Sequence, residues 1–391
     1  MHQQATAPRA RVLHVTQPVD GGVARVVSDL ARAQLGAGLD VVVACPDGPL
    51  TPVLRALGAN VRPWPATRSP GPGLGPEVRR LARLLEDVRP DVLHLHSAKA
   101  GLAGRLAVRG RIPTVFQPHA WSFEAVGGPV GALSLAWERW GARWASRVVC
   151  VSEAERARGV RAGVRGRWSV VPNGIDPDRF RPGDARPARA ALLPGAPAGG
   201  PLVVCVGRLC RQKGQDVLLD AWDAVVRDVP DARLALVGDG PAGASLRARA
   251  PRSVLFPGAV ADPLPWYRAA DLVVLPSRWE GMALAPLEAM ACERPVVVTD
   301  VDGARESLPP ALAGPGPVPP ADPAALAGAV TALLRDASLR ASLGRLGRRH
   351  VLSTHDVRHT AEAIADVYRA LLDGRPAPRV VPSECRESIH S

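Results

Sequence analysis

The segment RWEGMALAPLEAMA, residues 278–291, sets Glu280 and Glu288 on either side of Pro286 in an otherwise apolar stretch. It follows LVVLPS (272–277), which reads as a strand, and Pro286 suits the first turn of a helix that good helix formers continue to Cys292. Glu288 is therefore expected in that first turn and Glu280 in the loop before it. The free N–H groups of Met282, Ala283 and Leu284 and the helix dipole would attract an anion there. A carboxylate also accepts hydrogen bonds from vicinal sugar hydroxyls, so one site could hold phosphates by amides and a sugar by glutamates. The bland alternative is that Glu288 only complements the dipole and Glu280 is solvated.

Cations for such an anion stand out because lysine is rare. Of 49 basic residues only Lys99 and Lys213 are lysines, and a compact ammonium serves where a planar guanidinium would not fit. GRLCRQKG (207–214) follows the strand LVVCV and precedes a helix, so Arg208 and Lys213 stand at the carboxyl edge of a sheet, an anion site suited to a diphosphate. An exposed basic turn is the other reading. GDGPAG (238–243) matches the GxGxxG pattern after the strand RLALV, which raises a dinucleotide-dependent oxidoreductase as a rival function. No acidic residue ends a strand about 20 residues on, as ribose recognition requires, so Gly238 and Gly240 are read first as turn residues.

In the first half, DGGVARVV (20–27) puts Gly21 and Gly22 where backbone can approach a ligand at a helix start. LHLHSAKAG (93–101) ends a strand with His94, His96 and Lys99, and FQPHAW (116–121) brings His119 to another strand end. His94 and His96 share a face, but no acidic or cysteine ligand lies near them, which argues against a metal. His119 is the candidate for substrate hydrogen bonding or proton transfer. Trp137, Trp140 and Trp144 recur at helical spacing and read as core packing. Arg139, Arg143 and Arg147 line another face, either solvated or set against an anionic membrane or a lipid phosphate.

These residues need elements to hold them. Short β-branched runs alternate with helical periods from Arg11, with strands at RVLHVTQ, VVVAC, 91–96, 112–117, 147–151 and 168–171. The series pauses at Pro172, crosses a Pro, Gly and Ala-rich loop (181–200), and restarts with LVVCVG, RLALVG, SVLFPG, LVVLPS and PVVVTD. Alternation of this kind implies α/β architecture: two Rossmann-like, doubly wound domains facing a central cleft. The expected boundaries are 10–176 for the first, with a helix at 355–373 packing back on it, 177–354 for the second, and a disordered tail at 374–391.

At 391 residues the chain exceeds one ordinary core. A net charge of +12 favours anionic partners without choosing among nucleotides, acidic lipid and nucleic acid. A basic nucleic-acid-binding protein is thus a weaker rival, resting on charge alone. No apolar run approaches the ~18 residues of a membrane span, and the N-terminus shows no secretory signal. The six cysteines lack zinc-type spacing and read as free thiols of a reducing cytosol. The expected location is cytoplasmic, with peripheral contact to the inner membrane face as a further expectation.

Taken in order, DGGVARVV, DVLHLHSAKAG, HAW, VVCVSEAE, VVPNGID, GRLCRQKG, LVGDGP, EGMALAPLEAMA with its E-x7-E spacing, and PVVVTDVDGARE are specific. From about Arg11 to Leu372 the chain resembles the retaining glycosyltransferases of family 4, which have the GT-B fold. The resemblance implies sugar transfer from a nucleotide-diphosphate donor to an acceptor hydroxyl, with retained anomeric configuration and neither metal nor other cofactor. It implies that Arg208 and Lys213 neutralise the leaving diphosphate, Glu288 binds the ribose, and Glu280 contacts the donor sugar. Gly22, Gly238, Met282, Ala283 and Leu284 would lie on the donor side, His119 near the reacting carbon, and His96 and Lys99 on the acceptor side. The partners expected are a UDP- or GDP-sugar and a glycan or lipid-linked acceptor of cell-envelope, glycolipid or exopolysaccharide synthesis, and no nucleic acid. Met282 and Ala283 replace the Phe-Gly common after EG, Glu293 and Arg294 replace a common Gly before Pro295, and HAW replaces a His-Gly pair.

Overall fold

The computed structural model describes residues 9–193, 199–313 and 316–374. The chain falls into two compact units, divided after Pro172 and again before Thr360, where the chain returns to the first unit. Beyond Gly374 the expected tail lies outside the described residues.

The first unit holds a seven-stranded parallel sheet of β1 (Arg11–Thr16), β2 (Asp40–Cys45), β3 (Asn60–Pro63), β4 (Val92–His96), β5 (Thr114–Gln117), β6 (Arg147–Cys150) and β7 (Trp168–Val170), in the order β3-β2-β1-β4-β5-β6-β7. The second holds a five-stranded parallel sheet of β8 (Leu202–Val206), β9 (Arg233–Val237), β10 (Val254–Gly258), β11 (Leu272–Leu275) and β12 (Val296–Val298), in the order β10-β9-β8-β11-β12. A parallel sheet is covered on both faces, so its strands read as continuous apolar runs rather than alternating ones. All four residues of Leu272–Leu275 are accordingly buried, as are all five of Val92–His96 despite two histidines. The sequence reading missed β3: NVRP is short, polar and exposed or half-exposed at the sheet edge, so no apolar signal marks it.

Strand order reverses direction between β1 and β4 in the first sheet and between β8 and β11 in the second. At such a switch point the loops leaving the carboxyl ends diverge and open a crevice. After β1 comes the helix Gly21–Gly36, and after β4 the helix Ser97–Val108. After β8 comes the loop with Arg208 and Lys213, and after β11 the loop with Glu280. The motifs singled out by residue type therefore flank the two switch points.

The tryptophan reading needs correction. Trp137 and Trp144 are half-buried, Trp140 is 48% exposed, and the three pack on one another on the helix Gly128–Gly141 and the turn after it. Helical spacing found a stripe, but the stripe is only partly covered: Trp140 is exposed while the Trp137 indole nitrogen is buried. The tryptophans wholly inside this unit are Trp64 and Trp121, whose indole N–H groups donate to the carbonyls of Glu77 and Glu155.

Candidate active site

Lys213 ends a short turn, Arg211–Lys213, and Gly214 behind it opens the helix Gln215–Asp228. Gly214 has φ +67°, and a Cβ there would lie 1.9 Å from the carbonyl oxygen of Pro276, so only glycine lets this loop press against the end of β11. Lys213 Nζ then reaches Glu280 Oε1 at 2.5 Å, and Ser277 Oγ donates to the same oxygen at 2.7 Å. The other carboxylate oxygen has only a long 3.5 Å contact from Gln212 Nε2, which leaves it acceptor capacity.

Further bonds tie the two loops together. Gln212 Nε2 donates to the carbonyl of Trp279, the Arg278 N–H donates to the carbonyl of Gln212, and the Arg278 guanidinium grips Asp216 through two bonds of 2.8 and 2.7 Å. The Arg278 bonds outweigh burial and hold the Asp216 carboxyl below its usual range. Thr299 Oγ1 donates to the carbonyl of Ser277, and Gly303 at φ +75° lets the carbonyl of Gly281 come close. Arg208 is half-buried and has no side-chain hydrogen bond or ion pair among the described residues. One available guanidinium beside one exchangeable ammonium suits a doubly charged ligand.

The helix after this loop runs Leu284–Ala291, starting two residues before Pro286. Glu288 therefore stands in its second turn, not the first as expected, and it is held by Tyr267, whose hydroxyl donates to Oε2 at 2.7 Å. Met282 and Leu284 are buried and Ala283 is half-exposed. Asn173 Nδ2 donates to the carbonyl of Met282 at 2.8 Å, fixing the backbone between Glu280 and the helix. A small depression beside Glu280 is lined by Ser277, Ala283, Pro286, Thr299 and Ala304.

Gly238 and Gly240 serve the loop rather than a dinucleotide. A Cβ on them would lie 2.1 Å from the Gly207 carbonyl oxygen and 2.4 Å from that of Leu209. Their left-handed backbone lets GDGP pack against GRL, and the Leu209 N–H donates to the carbonyl of Asp239. This is why the oxidoreductase reading fails: the glycine pattern is spent on supporting the Arg208 loop.

In the first unit Gly22 is exposed at the start of the helix Gly21–Gly36, as a backbone anion contact requires. Two residues expected on the acceptor side lie elsewhere. Lys99 is 3% exposed, pairs with Glu77 at 2.6 Å and donates to the carbonyl of Ser69, so its ammonium is a structural group. His96 is fully buried within a line of histidines.

That line follows from strand register. His14 on β1 pairs with His94 on β4, and Thr16 with His96, so the imidazoles of 14, 94 and 96 share one sheet face. His14 Nδ1 lies 2.9 Å from His96 Nε2, and His96 Nδ1 lies 3.2 Å from His119 Nε2. Gln34 Oε1 and Tyr368, from the two helices over this face, hold His14 Nε2 at 2.7 Å and His94 Nδ1 at 2.6 Å. Nitrogens of His14, His94 and His96 lie within 4.8 Å of one another, the one such cluster among the described residues. His14 Nδ1 and His96 Nε2 bond to each other, Gln34 takes His14 Nε2 and Tyr368 takes His94 Nδ1, while His94 Nε2 has no hydrogen-bond partner among the described residues. Burial pushes the imidazoles towards neutrality, His14 to about 4 and His119 to about 3.

Sequence reasoning missed Tyr267, Ser277, Gln212, Gln34, His14 and Tyr368. Ser277 carried a signal, three residues before Glu280 at a strand end. The others meet their partners only through tertiary packing.

Residues 20–179 match the family described as Glycosyltransferase Family 4, and residues 200–336 match Glycosyl transferases group 1. Among curated relatives, D-inositol 3-phosphate glycosyltransferase 2 of Catenulispora acidiphila is 31% identical, the match covering 92% of each chain. UDP-Gal:alpha-D-GlcNAc-diphosphoundecaprenol alpha-1,3-galactosyltransferase of Escherichia coli is 27% identical over 77% of this chain and 82% of its own. The fold resembles that of Anabaena Alr3699/HepE, crystallised with UDP and glucose, with a TM-score of 0.79 at 24% identity over 93% of this chain and all of that one. Two parallel α/β units of this kind define the GT-B class of glycosyltransferases. The chain belongs to Glycosyltransferase Family 4.

The lowered pKa values of buried His14 and half-buried His119 predict a pH dependence of stability. Above pH 6.5 folded and unfolded imidazoles are both neutral and contribute nothing. Below it the unfolded chain binds protons that folded His14 and His119 refuse, so stability falls as pH drops from 6.5 towards about 4. The expected slope is about 1.4 kcal/mol per pH unit for each such histidine. Denaturant unfolding followed from pH 7.5 to 4.5 should show this loss, and His14→Phe should make it shallower. Equal slopes in the two proteins would contradict it.

Proposed function

We propose that the protein is a retaining glycosyltransferase that moves a sugar from a UDP- or GDP-sugar to a hydroxyl of a glycan or lipid-linked acceptor, without a metal. The observation that carries this reading is the 2.5 Å Lys213–Glu280 pair together with an Arg208 guanidinium that has no partner among the described residues. Breaking the anomeric bond loads negative charge on the diphosphate, and preorganised cations stabilise that charge where it develops. Lys213 and Arg208 do this here, with the N–H groups of the 282–284 segment as further donors. Glu280, with its second oxygen available, accepts from sugar hydroxyls, and Glu288, fixed by Tyr267, accepts from the ribose. His119 hydrogen-bonds the sugar near the reacting carbon.

Configuration is retained if the acceptor hydroxyl attacks from the face that the diphosphate leaves and gives it the proton. A glycosidase pair of carboxylates would instead flank the scissile bond. Glu280 and Glu288 stand at one helix, eight residues apart in one segment. The inositol phosphate and diphosphoundecaprenol acceptors named for the two relatives support an acceptor carrying phosphate or lipid, in envelope glycan, glycolipid or exopolysaccharide synthesis.

The helix Gly128–Gly141 supports contact with an anionic membrane at the cytoplasmic face. On this helix Val130 is 62%, Leu133 71% and Trp140 48% exposed, and the Arg143 guanidinium stacks 4.0 Å from the Trp140 ring centroid. Exposed aliphatics beside an aromatic-stacked cation suit a headgroup layer. No helix among the described residues is long and apolar enough to cross a membrane.

Two measurements test this reading. Lys213→Ala and Glu288→Gln should each lower kcat/KM for the donor by about 100-fold while the protein still melts cooperatively; unchanged kinetics in both would overturn the site. In sedimentation with anionic phosphatidylglycerol vesicles, the double variant Leu133→Asp, Trp140→Ala should lose binding that wild type shows. Equal pelleting, or none by wild type, would remove the membrane contact.

A further inference from the structure

The buried histidine line has a direction, set at one end by an amide. Gln34 Nε2 donates to the Tyr368 hydroxyl at 3.4 Å, which places its oxygen against His14 Nε2 at 2.7 Å. That nitrogen must then carry the proton, and His14 Nδ1 becomes an acceptor, because a neutral imidazole has one donor and one acceptor. His96 Nε2, 2.9 Å away, supplies the donor, so His96 Nδ1 is bare in turn. His119 Nε2, 3.2 Å from it, must donate. The same order holds on the other branch. The Tyr368 hydroxyl, accepting from Gln34, donates to His94 Nδ1, and the His94 Nε2–H is left to face Gln117, whose buried oxygen has no other partner among the described residues.

We propose that Gln34, His14 and His96 are positioning residues that lock His119 in the Nε2–H tautomer, leaving its Nδ1 lone pair to accept a hydrogen bond from a donor-sugar hydroxyl. The proposal rests on the reading of His119 as a sugar contact and adds which nitrogen serves it and what fixes it. Burial keeps every ring neutral, so the order is one of tautomers rather than charges. Reversal would require Gln34 to turn over and all three rings on its branch to exchange tautomers together, since one misdirected ring leaves two donors or two lone pairs face to face inside the unit. His119 sits at φ +59°, followed by Ala120 at φ +130°, so the backbone also commits to this ring position.

The test reads the ring nitrogens directly. In uniformly nitrogen-15-labelled protein at pH 7.5, long-range proton–nitrogen spectra should show His14, His96 and His119 all as Nε2–H tautomers. Gln34→Met, which removes the acceptor, should mix the His119 pattern and lower kcat about tenfold with little change in donor KM. Gln34→Glu, which can only accept, should restore the pattern and most of kcat. If Gln34→Met fails to fold, His14→Phe breaks the same chain. A wild-type His119 in the Nδ1–H form, or a pattern and kcat unmoved by breaking the chain, would overturn the proposal. Absence of turnover by wild type with every nucleotide-sugar would instead sink the functional reading, while the spectrum still decides the tautomer.

Discussion

In each sheet all strands run the same way, so every carboxyl end, and every loop that leaves one, comes to a single edge. Where strand order reverses, two such loops part without a helix crossing between them. The rest of the site depends on this constraint. It puts the loop after β8, with Arg208 and Lys213, next to the loop after β11, with Glu280, although 67 residues separate Lys213 from Glu280. Gly214, Gly238, Gly240 and Gly303 then let four backbone segments approach more closely than any side chain would allow.

The Lys213–Glu280 pair that results is neither fully buried nor a surface pair, the side chains being 20% and 10% exposed. A deeply buried pair would resist exchange, and a fully exposed one would be screened by water and salt. Under the proposed function, an incoming diphosphate would compete with Glu280 for Lys213, while Ser277 would continue to hold the carboxylate. Charge compensation within the protein would then pass to charge compensation in the proposed complex.

Much of this was legible in the sequence because the strands are buried on both faces and announce themselves as β-branched runs. Site residues on loops at strand ends, such as Arg208, Lys213, Glu280 and His119, carry that position with them. What stayed hidden depends on distance in sequence. The edge strand NVRP has no apolar pattern, and the start of the helix Leu284–Ala291 fell two residues earlier because Leu284 and Ala285 are helix formers ahead of the proline. Lys99 looked available only because its partner Glu77 lies on another helix. His94 and His96 could be put on one face from strand alternation, but His14 joins them through the β1–β4 register, and Gln34 and Tyr368 through helices no local pattern aligns. Spacing identified Trp137, Trp140 and Trp144 as a stripe without revealing that Trp140 is exposed.

The central claim is that the loop after β8 grips a nucleotide's diphosphate. Crystals grown with UDP, and separately with GDP, test it most directly. The account predicts phosphate oxygens within hydrogen-bond distance of the Arg208 guanidinium and of Lys213 Nζ, with the ribose hydroxyls at Glu288. A nucleotide bound elsewhere, with both cations remote from its phosphates, would contradict it.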